Sequence, residues 1–306
     1  MGGVFLGTPA AAVPSLAAFC DVEDVDLVIT QPDHRAARGP GNVQPPVKVA
    51  AEQFGLSVAQ PETGEELFDL LAHLGPTVGL VVAYGRVLAP AMLTVVAYGF
   101  LNVHFSLLPR WRGAAPVERA IAEGDEMTGV TLMKIDEGLD TGPILGEVAT
   151  PIGITETGGS LTARLSYLGA SLVDSTLPDY LNGHRRPVPQ LTTGATRAAK
   201  LSKQDARLTP NWSTVAAERA IRAFSPRPGA WINIETGVLK VHRAKLSEVS
   251  VESGTIELVD GAAVAGFADG TLELLSVQPA GKAAQDATAW MNGRRGQPVS
   301  FLADDD

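Results

Sequence analysis

The sequence carries a single cysteine, Cys20, in 306 residues. One thiol excludes an intrachain disulfide and a cysteine-built zinc site, and it fits a reducing compartment. No uninterrupted apolar run reaches 18 residues, so no membrane-spanning helix is expected. Neither a GxGxxG nor a Walker A pattern occurs, and Gly2, Gly3 and Gly7 lack that spacing, so a dinucleotide is not expected. The first twenty residues are apolar and end in small side chains. They have no Lys or Arg ahead of the apolar run, and Pro9 and Pro14 interrupt it, which argues against a signal peptide. Leu6 stands where a myristoylation motif needs Ser or Thr. No internal repeat and no metal-ligand cluster is evident, and the expected location is the cytoplasm.

What is present is an ordinary globular composition, 45% hydrophobic and 19% charged, with 32 Gly and 21 Pro. The length implies about two domains. The formal net charge is −10, but it is unevenly spread. Residues 1–185 hold 10 Lys and Arg against 21 Asp and Glu, whereas residues 186–245 hold 11 against 3, a net +8. A basic segment in an acidic chain is a candidate surface for a polyanion, although charge alone favours a solvated face.

In the first half, short apolar runs at 4–6, 26–30, 78–83, 99–103 and 129–135 alternate with helical patterns at 46–54, 64–73, 115–122 and 156–182. Such alternation predicts an α/β domain with a mainly parallel, Rossmann-like sheet, whose ligands sit beyond the carboxyl ends of the strands. The chemistry is then expected in the loops after Thr30, Ala83 and Val103. The run His184-Arg185-Arg186-Pro187-Val188-Pro189 reads as a break. After a helix near 213–224, short runs at 231–235, 238–244, 254–259, 263–268 and 271–278 are punctuated by Gly, Asp and Ser. That pattern predicts a small antiparallel, OB-like barrel. The organisation expected is 1–185, a linker over 186–206, and 207–306.

The densest chemistry lies between Gly99 and Pro116. Asn102 and His104 stand at i and i+2 on a predicted strand, so their side chains leave the same face. A carboxamide can donate to a developing oxyanion, and an imidazole can move a proton near neutral pH. Asp140 sits in a Gly- and Pro-rich turn, where it can hold a nearby imidazole charged and fix its tautomer. Taken alone, the first pair reads rather as structural, and Asp140 rather as a turn former.

The string Ser106-Leu107-Leu108-Pro109-Arg110-Trp111-Arg112-Gly113-Ala114-Ala115-Pro116, preceded by Asn102-x-His104 and followed by Gly138-Leu139-Asp140-Thr141-Gly142, resembles the folate-dependent formyltransferases. Within them it is similar to the branch that formylates methionyl-tRNA. Leu6-Gly7-Thr8-Pro9, Thr30-Gln31-Pro32-Asp33, Ala83-Tyr84-Gly85, Lys200-Leu201-Ser202-Lys203 and Gln278-Pro279-Ala280-Gly281-Lys282 carry the resemblance along nearly the whole chain. It implies 10-formyltetrahydrofolate as co-substrate, the α-amino group of initiator methionyl-tRNA as acceptor, no metal, and a monomer away from membranes.

The resemblance assigns Asn102, His104 and Asp140 to catalysis. It assigns Tyr84, Gly85, Arg86, Val87, Leu88, Ser106, Leu107, Leu108, Pro109, Asp136 and Gly138 to the folate. The tRNA falls to Arg35, Arg38 and Lys48 in the 31–48 loop, and to Lys200, Lys203, Arg207, Arg222 and Arg227 in the basic segment. Three places depart from the family pattern. Phe105 follows the His where Gly or Pro is usual, the 34–42 loop lacks paired lysines, and Leu208-Thr209-Pro210-Asn211-Trp212 is two residues longer than usual. A formyltransferase for a small amine, a non-catalytic RNA-binding protein and a formylfolate hydrolase stay open as alternatives.

Overall fold

A computed structural model describes residues 2–35 and 41–301. The chain divides into two compact units. The first comprises residues 1–116, 127–151 and 162–198, and the second residues 117–126, 152–161 and 199–306. Residues 186–198, expected in a linker, therefore lie in the first unit.

The first unit is built on a seven-stranded sheet. From one edge its strands are Ile144–Pro151, Met127–Lys134, Phe100–His104, Gly79–Val82, Gly3–Gly7, Val25–Ile29 and Val58–Ala59. The last five are mutually parallel, and Met127–Lys134 and Ile144–Pro151 join antiparallel. Every residue of Gly3–Gly7 and Gly79–Val82 is buried. Strands covered on both faces read as unbroken apolar runs, which is why these two stand out in the sequence. The edge strand Ile144–Pro151 alternates instead and was not anticipated. Nor was the helix Val13–Val22, whose Pro14 falls at its first turn, the one place where a helix accepts proline freely.

Val4, Leu6, Leu27, Ile29, Leu67, Leu71, Val81 and Tyr84 form part of one buried cluster. Helix Gly64–Leu74 presents Leu67 and Leu71 to it, four residues apart on one face. Its start is fixed by Thr63, whose hydroxyl accepts from the Glu66 N–H, and its end by Gly75 in the left-handed region.

The second unit carries an antiparallel sheet in the order Trp231–Ile234, Gly237–Ser247, Thr271–Pro279, Ala262–Gly266, Thr255–Val259, Val299–Ser300. Phe301 bridges back to Ile234 in the first of these strands, closing the sheet into the small barrel expected. Its strands alternate buried and part-exposed positions, as in Trp231–Ile234, with one face turned inward. No helix among the described residues is long and apolar enough to cross a membrane.

Candidate active site

A cavity of about 390 Å³ opens at one end of the first sheet. Its floor crosses three strands in register: Val81 pairs with Asn102, and Asn102 with Met133, and all three line it. The loop after Gly79–Val82 supplies Ala83, Tyr84, Gly85, Arg86, Val87 and Leu88. The loop after Met127–Lys134 supplies Ile135, Asp136, Glu137, Gly138, Leu139 and Asp140. The loop after Phe100–His104 adds Phe105, Gly113, Ala114 and Pro116.

The strand Phe100–His104 turns Asn102 and His104 to the same side, and the 135–140 loop brings Asp140 to both. Asn102 Nδ2 stands 3.5 Å from Asp140 Oδ1. His104 Nδ1 stands 3.8 Å from Asp140 Oδ2, with His104 6% and Asp140 15% exposed. The other imidazole nitrogen, Nε2, lies 2.9 Å from the Trp111 carbonyl oxygen. A carbonyl only accepts, so Nε2 carries the hydrogen of that contact, and Nδ1 is the nitrogen that faces Asp140. The Gly113 N–H donates to Asp140 Oδ2 at 2.8 Å, fixing the carboxylate from the far side.

Three residues around this centre hold left-handed backbone without being glycine: Ala83 at φ 48°, Trp111 at 64° and Asp140 at 51°. Each such conformation costs on the order of 1–3 kcal/mol and persists where its surroundings enforce it. At Trp111 it accompanies the carbonyl's contact with His104. At Asp140 it accompanies a carboxylate facing Asn102, His104 and Gly113.

Of the residues assigned to the folate, 84–88, Asp136 and Gly138 line the cavity. Burial pushes the Tyr84 phenol up from its ordinary range. Its carbonyl accepts from Thr8 Oγ1 at 3.0 Å and Gln31 Nε2 at 3.2 Å, and Arg86 donates to the Pro61 carbonyl at 3.0 Å. The Gln31 bond is how the loop after Val25–Ile29 reaches the site, since none of its described residues lines the cavity. Ser106, Leu107, Leu108 and Pro109 do not line it either. They form the turn behind it: Thr131 Oγ1 donates to the Ser106 carbonyl at 2.7 Å and accepts from the Leu108 N–H at 3.2 Å.

The cations assigned to tRNA fall into two groups. Arg35, Lys200, Lys203 and Arg227 are exposed, and Arg38 lies outside the described residues. Lys48 is held by Asp33 at 2.8 Å and by Gln60 at 3.0 Å, with its side chain 15% exposed. The bonds from Lys48 and Gln60 hold the Asp33 carboxyl below its ordinary range. Arg222 pairs with Glu218 at 2.6 Å, and the Arg207 guanidinium lies 5.6 Å from the centre of the Trp231 ring.

Sequence reasoning did not single out Gly113, the Trp111 carbonyl or Gln190. Gly113 was legible only as part of a motif. Gln190 fell in a stretch without periodicity, yet it bonds to the Asp140 loop.

A family described as formyl transferase matches residues 15–177, and one described as formyl transferase, C-terminal domain, matches residues 200–295. Among solved structures, the N-formyltransferase of Helicobacter canadensis, crystallised with folinic acid and dTDP-3-aminofucose, superposes with a TM-score of 0.66. It is 18% identical over 89% of this chain and 98% of its own. HypX of Aquifex aeolicus, crystallised with tetrahydrofolic acid, gives 0.65 at 17% identity over 95% of this chain and 47% of its own. At those identities the likeness is one of fold. Sequence relatives reach further. The methionyl-tRNA formyltransferase of Halorhodospira halophila is 46% identical over 97% of this chain and 98% of its own length. That of Myxococcus xanthus is 43% identical over 97% and 96%. With both units matched and the likeness running through nearly their full length, the chain belongs to the methionyl-tRNA formyltransferase family.

Proposed function

We propose that this enzyme moves the formyl group of 10-formyltetrahydrofolate to the α-amino group of initiator methionyl-tRNA, with Asn102, His104 and Asp140 performing the transfer. The observation that carries the assignment of roles is the meeting of these three side chains in one cavity framed by the 84–88 and 135–140 loops. The apolar side chains of Val81, Leu88, Met133 and Ile135 suit the flat face of a pterin, and the backbone groups of the two loops suit its polar edge.

The amine lone pair attacks the formyl carbon, and the carbonyl electrons move onto oxygen. Asn102 Nδ2 and protonated His104 donate to that oxyanion. Asp140 stabilises the imidazolium and accepts the proton relayed from the attacking nitrogen. As the tetrahedral adduct collapses, the bond from the formyl carbon to the folate nitrogen breaks, and that nitrogen takes the proton Asp140 accepted, leaving as tetrahydrofolate and restoring the carboxylate. Nothing in this sequence of steps calls for a metal.

Arg35, Arg38, Lys200, Lys203 and Arg227 are the cations the reading assigns to tRNA phosphates. Lys48, Arg207 and Arg222 are engaged within the fold, with Asp33, the Trp231 ring and Glu218 respectively. The enzyme works as a monomer in the cytoplasm, where initiator tRNA is charged.

The deciding assay measures formyl transfer from 10-formyltetrahydrofolate to charged initiator tRNA, with uncharged tRNA, an amino sugar nucleotide and water as competing acceptors. Charged tRNA is the acceptor expected. His104→Ala and Asp140→Ala should each lose about 10²–10⁴-fold in kcat, and Asn102→Ala about 10²–10³-fold. Wild-type turnover in any of the three, or preference for another acceptor, overturns the assignment.

A further inference from the structure

Residues 188–198 follow the long helix Gly158–Leu181, and by composition they are a connector. In the fold they are stitched to the first unit at three points. Val188 exchanges both backbone hydrogen bonds with Ile144, at 2.7 and 2.8 Å. Thr196 accepts from the Trp111 N–H through its hydroxyl, at 2.9 Å, and from the Arg112 N–H through its carbonyl, also at 2.9 Å. Arg197–Ala198 pairs in parallel with Arg112–Gly113.

Between these anchors stands Gln190. Its amide nitrogen donates to the Asp140 carbonyl at 3.0 Å and to the Gly142 carbonyl at 2.7 Å, and it lies 3.8 Å from Sδ of the cavity residue Met133. Its amide oxygen accepts from Arg112 Nε at 3.0 Å and from the second guanidinium nitrogen at 2.7 Å. One side chain thus ties the loop that carries Asp140 to the segment whose Gly113 N–H grips the Asp140 carboxylate.

We propose that Gln190 is a positioning residue for the transfer reaction, acting through Asp140. The inference rests on the catalytic reading of Asp140 given above. Only a primary amide offers two donors and an acceptor able to span this gap. A carboxylate keeps the tie to Arg112 but sets its charge against two carbonyls. An aliphatic chain of the same size keeps the volume and loses every bond. Asp140 sits at φ 51°, a conformation it holds only while the loop around it is fixed. Misplacing a reacting group by about 1 Å costs on the order of 10²-fold in rate.

The test compares Gln190→Leu, Gln190→Glu, Asp140→Ala and Asp140→Ala combined with Gln190→Leu, using steady-state formylation of charged tRNA and thermal unfolding. Gln190→Leu and Gln190→Glu should each lower kcat about ten- to a hundredfold, with KM for folate and tRNA within about twofold of wild type. In the Asp140→Ala background the Gln190→Leu change should have no further effect on kcat, because groups that act as a unit are not additive. A purely structural role would lower kcat by the same factor in both backgrounds, and that result overturns the proposal. So does wild-type kcat in Gln190→Glu, the variant that retains the Arg112 tie should Gln190→Leu fail to fold. Wild-type kcat in Asp140→Ala would instead reject the catalytic reading itself, which separates the two failures.

Discussion

Gly113 offers the sharpest single perturbation. It holds φ +125°, and a Cβ placed there would stand 2.5 Å from the Ala198 carbonyl oxygen and 3.1 Å from its carbon. Both contacts are with backbone, so Gly113→Ala cannot be absorbed by turning a side chain. The left-handed strain costs on the order of 1–3 kcal/mol, and overpacking adds about 1–3 kcal/mol unless the two-residue ladder with Arg197–Ala198 opens. Opening it draws the Gly113 N–H away from Asp140 Oδ2, now at 2.8 Å. A hydrogen bond to a charged group is worth about 1.5–3 kcal/mol. If that contact serves the transition state, kcat falls roughly 10- to 150-fold. Single-turnover formylation at saturating folate and charged tRNA reads the rate, and calorimetry reads stability. A lost 2–6 kcal/mol, about the sum of the two costs, lowers Tm by about 3–9 °C in a chain of 306 residues. Wild-type kcat with an unchanged Tm would refute the geometry. A lowered Tm with wild-type kcat would show that the orientation of Asp140 does not depend on this N–H.

Two further expectations concern charge. Replacing exposed Lys200, Lys203 and Arg227 together by Ala should flatten the dependence of log K on log salt for tRNA by about 2–3 units, since each lost phosphate contact removes roughly 0.7–0.9. Lys48→Ala, whose ammonium is taken up by Asp33 and Gln60, should lower Tm and leave that slope alone; the reverse pattern would exchange their roles. The second concerns Asp205, which accepts from Ser202 and from Arg119, at 3.1 Å, so its carboxyl is held down at about 2. A depressed acid stabilises the fold above its unfolded value near 4, and the contribution fades as pH falls toward 2. It is worth about 1–2 kcal/mol at neutral pH, so Asp205→Asn should lower Tm at pH 7 and converge with wild type between about pH 4 and pH 2. A difference independent of pH would show that ionisation is not involved.

Where the sequence was readable, a single physical pattern dominated. Gly3–Gly7 and Gly79–Val82 are buried on both faces and read as apolar runs. Asn102 and His104 share a face because a strand repeats every two residues. The edge strand Ile144–Pro151 was missed because its alternation mixes Glu and Thr with Gly and Pro, residues that usually announce a turn. The site was legible as far as its motifs ran. Lys48 looked like a tRNA ligand because a cation in a loop is visible in sequence, whereas Asp33 and Gln60, which occupy it, are placed by tertiary structure. Gln190 had no pattern to betray it. Its role depends on two carbonyls and a guanidinium that lie 48 to 78 residues away along the chain.

The alternation of the two units along the chain bears on how the protein is made. The chain passes between them after residues 116, 126, 151, 161 and 198 before the barrel begins. Val117, Ala120 and Ile121, and likewise Leu161, are buried in the folded chain and group with the second unit, yet they emerge from a ribosome far ahead of the strands of that unit. Until the last third of the chain is made, these apolar side chains lack the rest of the unit with which they group. The catalytic sheet can form its hydrogen bonds early, but it must do so while carrying two sticky segments that belong elsewhere. Slowing elongation beyond residue 198 should therefore raise the yield of aggregated nascent chains, and chaperones that hold apolar surface should engage this protein late in its translation.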